Sequence, residues 1–226
     1  MQGVALSCCQ PFKPNQNIVQ QKQNTANRYF QSCANVFWQE VFSMELDYLL
    51  QHLDNRSPVL SIGCGTAPIE ERLANNGYTV YGVDIHGEML KYAPENIKVI
   101  AASAENLPFP KSTFGAVISV ASLQFIQNVQ RAVKGALSVL KQQGVFIAML
   151  LNPASSFFKE KFKQPNSYIS TIKHVNLEYI EDVISEDLFV ETEYYIGENE
   201  GKLFKSSDSA HALLYIAKGY KKPQLH

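Results

Sequence analysis

Short apolar runs alternate with segments of helical period along most of the chain. Phe37, Val41, Met44, Tyr48 and His52 recur at spacings of three and four, thickened by Leu49 and Leu50, which predicts a core-packing helix. Asn35 stands where that helix needs a capping side chain. Val59–Ile62 reads as a first strand, and Pro68 onward as a helix with Ile69 and Leu73 inward, Glu70 and Glu71 in its first turn and Asn76-Gly77 as its stop. Tyr78–Asp84 is a second strand, Met89 and Leu90 belong to a short helix ending before Pro94, and Ile97–Ala101 is a third strand. Residues 103–110 read as a loop, Phe114–Val120 as strand four and Val129–Leu140 as a helix. Lys141–Gly144 reads as a turn into Val145–Leu151, a run apolar enough for burial on both faces. Alternation of this kind implies a parallel sheet with right-handed crossovers. After a Phe- and Lys-rich segment and a helix over Tyr179–Ile184, the alternating runs Phe189–Tyr195 and Ala212–Lys218 predict an antiparallel pair at a sheet edge, joined by a polar loop.

Composition narrows the picture without changing it. A chain of 226 residues with 46% apolar content can build one sizeable core. Its 20 basic and 21 acidic side chains nearly cancel, so charge points neither to nucleic acid nor to a membrane surface. No apolar run approaches the roughly 18 residues of a spanning helix. Cys8, Cys9, Cys33 and Cys64 lack metal-ligand spacing, and Ala5–Cys8 lacks the basic start and apolar stretch of a leader, so a reducing cytoplasm is the expected setting. The polar first 16 residues predict a loose tail, and the Gln- and Asn-rich residues 15–24 a solvated helix or coil.

The chemistry concentrates between Val59 and Asp84. The first strand ends at Gly63-Cys64-Gly65, and the second ends on a lone carboxylate, Asp84. This is the outline of a βαβ unit for a nucleoside ligand: the glycines permit a sharp turn and close approach, and the acid can accept from both ribose hydroxyls. Dinucleotide domains share that logic, but Pro68 stands where their third glycine belongs.

From Tyr29 to Lys218 the chain resembles the class I S-adenosylmethionine-dependent methyltransferases of the type 11 small-molecule group. Ile62–Thr66 matches the family's first motif, Tyr81–Ile85 the second, Ala104–Phe109 the adenine-side loop and Val139–Gly144 the turn before strand five. The resemblance implies an α/β, doubly wound, seven-stranded, mostly parallel sheet with an antiparallel last strand. It also implies a single domain: a helical cap over 17–57, a cofactor-binding core over 58–151, an acceptor-site insertion over 152–187 and a strand pair over 188–220. S-adenosylmethionine is the implied cofactor, held by Tyr29, Ser61, Gly63, Cys64, Gly65, Asp84, Ile85, Met89, Ser103, Ala104, Glu105 and Val120 and leaving as S-adenosylhomocysteine. Ser61 and Ser103 stand where the family usually has acids, as does Gly115, and Ala67 replaces a glycine. Neutral groups bind a cationic or hydroxyl partner more weakly than carboxylates do. A non-catalytic cofactor-binding protein of the same fold is therefore the competing reading.

Methyl transfer needs alignment and exclusion of water more than a triad, and a base only if the acceptor must lose a proton. Gln124 and His174 are the weak catalytic candidates. Strand four runs into Ala121-Ser122-Leu123-Gln124 without the Asn/Asp-Pro-Pro-aromatic signature, and the chain has no Pro-Cys, so methylation of nucleic-acid bases is not expected. A small-molecule acceptor is expected instead. Lys159, Lys161, Lys163 and Lys173 suit an anionic one, with Phe157, Phe158 and Phe162 excluding water; a solvated helix face is the plain alternative. Tyr29, Phe30 and Trp38 could form a lid.

Overall fold

In a computed structural model, which describes residues 16–165 and 167–223, two helices precede the sheet. Helix α1 (Gln16–Cys33) carries the Gln/Asn-rich stretch, and α2 (Val36–His52) begins where Asn35 accepts the Phe37 amide at 2.9 Å. Such a side chain satisfies a first-turn donor that has no partner within the helix. The stripe that α2 buries is Val41, Phe42, Glu45, Tyr48 and Leu49, one position round from the expected one. Phe37, Met44 and His52 lie half-buried at its margins, and a glutamate sits in its middle. The tail expected over 1–16 lies outside the described residues except for Gln16, as do Cys8 and Cys9.

The βα alternation then follows the apolar pattern through β1 (Val59–Ile62), α3 (Pro68–Asn75), β2 (Val80–Asp84), α4 (Gly87–Leu90), β3 (Lys98–Ala101), β4 (Phe114–Val120) and α5 (Val129–Val139). One boundary differs. Strand β5 (Leu140–Leu151) starts directly at the end of α5, and Lys141–Gly144 belongs to the strand instead of forming a turn. The surplus residues are absorbed where the pairing with β4 slips, from Phe114 opposite Leu140 to Ala116 opposite Val145.

Beyond β5 come α6 (Ser156–Phe162), a 3₁₀ turn at Tyr168–Thr171, α7 (Leu177–Ser185), β6 (Leu188–Asn199), β7 (Lys202–Phe204) and β8 (Ala212–Lys221). Strand β8 runs antiparallel between β5 and β6, giving the sheet order β3-β2-β1-β4-β5-β8-β6-β7. Seven strands were expected and the described residues form eight, because the polar loop after β6 folds back on it as a short hairpin. Glu200 and Gly201 take left-handed conformations at its turn, and the Gly201 amide donates to Glu198 Oε1 at 2.7 Å.

The sheet separates two apolar layers. Leu60, Ile62 and Val117 face α5 and α7, whereas Val59, Val80, Ile118 and Ile147 face α2 and α3. The carboxyl ends of β1, β2, β4 and β5 consequently share one edge, where ligands bind in open α/β sheets.

Candidate active site

At that edge β1 turns through Gly63 (φ +72°), Gly65 (φ +56°) and Ala67 (φ +63°) into α3. A Cβ on Gly63 would collide with Ser122, which follows β4 and holds the Ile62 carbonyl at 2.5 Å. Above Gly65 the only atom near such a Cβ is Tyr29 Cε1, at 3.8 Å, so the space over the loop is open. The loop is fastened to β2 by the Gly63 and Cys64 amides, which donate to the Val83 carbonyl at 2.7 and 3.1 Å. Asp84, at the end of β2, accepts the Gly65 amide at 2.9 Å on one oxygen and the His86 amide at 2.8 Å on the other. One carboxylate thus fixes both loops that face the ligand side.

A cleft open to solvent lies above these loops, concave as small-molecule sites are. Gly63, Gly65, Asp84, Ile85, Met89 and Ser103 line it, with Tyr29 reaching in from α1 and Phe125 and Tyr168 from the far side. Tyr168 meets Tyr29 edge-on at 6.1 Å and stacks on Phe125 at 5.8 Å. Both tyrosine hydroxyls hold their protons well above the usual pH because the hydroxyl ends are desolvated, although Tyr168 as a whole is partly exposed.

A second, more enclosed chamber adjoins the cleft, sharing Tyr29, Gly63, Ala121 and Tyr168 with it. It extends under α2, walled by Trp38, Phe42 and Phe157 and by Leu151, Leu213 and Leu214 at the strand ends. Glu45 and Glu70 line it too, only 3% and 2% exposed. Burial, reinforced by repulsion from Glu70, pushes the Glu45 carboxyl up to about 8. Burial also lifts Glu70, to about 7, against hydrogen bonds from the Ser61 hydroxyl and from first-turn amides of α3.

The stretch from β1 to β5 matches a family model described as a methyltransferase domain, over residues 60–148. Residues 60–148 thus match a methyltransferase domain. It is 29% identical over 142 residues to a ubiquinone/menaquinone biosynthesis C-methyltransferase of Rickettsia felis, covering 56% of this chain and 55% of that one. It is 30% identical over 146 residues to the biotin biosynthesis bifunctional protein of Cellvibrio japonicus, covering 62% and 29%. The chain thus spans about half, or less, of the length of these curated relatives. In fold it is similar to a Thermotoga maritima crystal structure described as a methyltransferase, possible histamine N-methyltransferase, with TM-score 0.74, 19% identity and 88% and 97% of the two chains covered. S-adenosylmethionine is the cofactor that the sequence resemblance implies, and a glycine cradle that a Cβ would fill beside a strand-end carboxylate fits it.

Of the residues the sequence assigned to the cofactor, Tyr29, Gly63, Gly65, Asp84, Ile85, Met89, Ser103 and Ala104 line the cleft. Ser61, Cys64 and Val120 line the chamber instead. Glu105 lines neither: its carboxylate accepts the Asn128 amide at 3.1 Å, at the start of α5. Ser103 Oγ is turned to the Glu105 amide at 3.2 Å. Burial pushes the Cys64 thiol far up, with the charges of Glu70 and Asp84 adding to the effect, so it is no nucleophile.

Neither catalytic candidate reaches the cleft or the chamber. Gln124 is fully buried and clasps Leu151, accepting its amide at 2.7 Å and donating to its carbonyl at 3.1 Å. His174 bonds the Ile126 carbonyl at 2.9 Å and stacks on Tyr179. The lysines expected to attract an anionic acceptor are placed wrongly for it. Lys159, Lys163 and Lys173 are exposed, Lys159 bonds the Ala154 carbonyl, and Lys161 lies over the outer Phe157 ring; none faces either cavity. Phe157 does wall the chamber, whereas Phe162 is exposed and Phe158 packs into the core. Of the three lid candidates, Tyr29 and Trp38 line cavities, while Phe30 stacks on Tyr92 at the surface.

Sequence reasoning missed Glu45 and read Glu70 only as a helix-dipole carboxylate. The signal was available: Glu45 lies four residues after Val41 and three before Tyr48, inside the apolar stripe. Among the described residues no His, Cys, Asp and Glu cluster could hold a metal ion, and no helix is long and apolar enough to cross a membrane.

Proposed function

We propose that this protein transfers a methyl group from S-adenosylmethionine to a small-molecule acceptor. The observation that carries this reading is the meeting of the glycine loop with Asp84, which leaves a ligand-sized space over Gly65 beside a carboxylate only 12% exposed. The cofactor supplies a methyl group already activated by a sulfonium. The chain's share is to hold, align and keep dry. In this reading the open face of the Gly63–Gly65 loop takes the methionine end and Asp84 accepts from the ribose hydroxyls. Ile85 and Met89 cover the adenine, beside Ser103 and Ala104. The helical cap over 17–57 and the insertion over 152–187 wall the acceptor side through Tyr29, Trp38, Phe157 and Tyr168, rings that exclude water where charge moves.

The lysines lend no support to an anionic acceptor. The acceptor's being a small molecule is supported by the near balance of charge and by the named pathway of the Rickettsia relative. The test is to incubate the protein with S-adenosylmethionine and a metabolite extract and to follow S-adenosylhomocysteine by mass spectrometry. Extract-dependent product is expected. Tight cofactor binding with no product in any extract would favour the non-catalytic reading, which the neutral Ser61 and Ser103 motivate.

A further inference from the structure

We infer that the enclosed chamber is a subsite for an ammonium group, and that the methyl acceptor is a small amine which enters it as a cation. This deepens the methyltransferase reading and rests on it. The chamber holds two carboxyl groups, each with one oxygen that the interior leaves unmatched. Glu45 and Glu70 are both buried, and Oε2 of each has no hydrogen-bond partner. Neither has an ion-pair partner among the described residues. Arg72, the cation nearest in effect, gives its donors to the Pro68 carbonyl at 2.8 Å and to Gln39 Oε1 at 2.6 Å, and lies over the Phe42 ring. A buried carboxylate without a partner is costly and two side by side repel, so with no occupant burial favours their protonated forms. A bound cation with N–H donors offsets both penalties at once.

The walls agree with that occupant. Tyr29, Trp38, Phe42, Phe157 and Tyr168 surround the carboxylates, and aromatic faces attract cations, most of all where water is excluded. The chamber joins the cleft at Gly63, Ala121, Tyr29 and Tyr168, so an amine seated there lies beside the loop that would hold the sulfonium end. The ammonium first gives a proton to a glutamate carboxylate. The nitrogen lone pair then forms the N–C bond as the methyl–sulfur bond breaks and its electron pair stays on sulfur. The product is a methylammonium and a neutral thioether, with the glutamate's proton released to solvent. The other source of the same chemistry is the cofactor's own α-ammonium, which would sit nearest Glu70.

The test uses labelled S-adenosylmethionine and a panel of primary and secondary amines, each paired with the alcohol and the carboxylate of the same skeleton, 2-phenylethylamine with 2-phenylethanol and phenylacetate among them. Label is expected in at least one amine and in neither of its partners. Titration of that amine into S-adenosylhomocysteine-loaded protein is expected to change the fluorescence of Trp38, the only tryptophan and a wall of the chamber. Glu45→Gln is expected to raise KM for the amine at least about tenfold while the S-adenosylhomocysteine Kd stays within about twofold. Glutamine keeps the shape and removes repulsion, and thermal unfolding confirms that the variant is folded. Label only in alcohols or acids, or in no compound while S-adenosylhomocysteine binds normally, overturns the amine and leaves the cofactor reading standing. If Glu45→Gln and Glu70→Gln both weaken S-adenosylhomocysteine and leave the amine's KM unchanged, the ammonium is the cofactor's and the acceptor proposal falls. Failure of the wild-type protein to bind S-adenosylhomocysteine removes the methyltransferase reading itself.

Discussion

Asp84 ties the Gly65 and His86 amides together while its carboxylate faces the cleft. Asp84→Ala should therefore both loosen the loops and remove the ribose acceptor, lowering S-adenosylhomocysteine affinity at least about tenfold, or 1.4 kcal/mol, by calorimetry. Gly65→Val should abolish binding by filling open space and by forcing a branched side chain to φ +56°; unchanged affinity would place the ligand elsewhere. The buried glutamates make a pH prediction. Their carboxyls keep protons in the folded protein that they lose near 4.5 when unfolded. The folded state then binds more protons than the unfolded one, so this contribution to stability is complete below about pH 4.5 and drains away as pH rises through about 7 and 8. Glu45 feels Glu70 and Arg72, and Glu70 feels Asp84, so the two should lose it together. Denaturant melts of ligand-free protein should show the decline, and Glu45→Gln should flatten it.

At the scale of elements, most of the pattern was legible because burial of a parallel sheet writes itself as apolar runs. Phe114–Val120 emerges with the expected bounds, and Asn35 caps α2 as its chemistry suggests. What was not legible depended on distant partners. The polar Lys141–Gly144 looks like a turn, yet it is held as strand by the slipped pairing with β4. Gln124 looked like a group for the site because it follows β4; only the structure shows its amide matched to Leu151. Gln124→Ala leaves that buried amide and carbonyl without partners, at about 1–3 kcal/mol each, so a loss of about 2–6 kcal/mol in chemical unfolding is expected. Charge density misled in the same way on α6, where lysines signal a wet face. Neutralising Lys159, Lys161, Lys163 and Lys173 together should leave turnover and its salt dependence at wild-type values; a fall in either would return them to the site.

At the scale of the molecule, the two cavities meet where both sheet layers and the first helices converge, and ligand there should stabilise the whole fold. S-adenosylhomocysteine at a hundred times its Kd should add about 2.7 kcal/mol, seen as a rise in Tm. The position of β8 carries a different consequence, one of timing. Strand β8 is the last of the described strands in chain order yet it lies inside the sheet, between β5 and β6. While the chain is being synthesised, β1 to β5 can pair as they emerge, but the β6–β7 hairpin has no strand of the main sheet to join until residues 212–221 have left the ribosome. Leu213 and Leu214, which wall the chamber, arrive with that strand. The cradle around Gly63 can thus form on the nascent chain, whereas the compartment beside it closes only once β8 has joined the sheet.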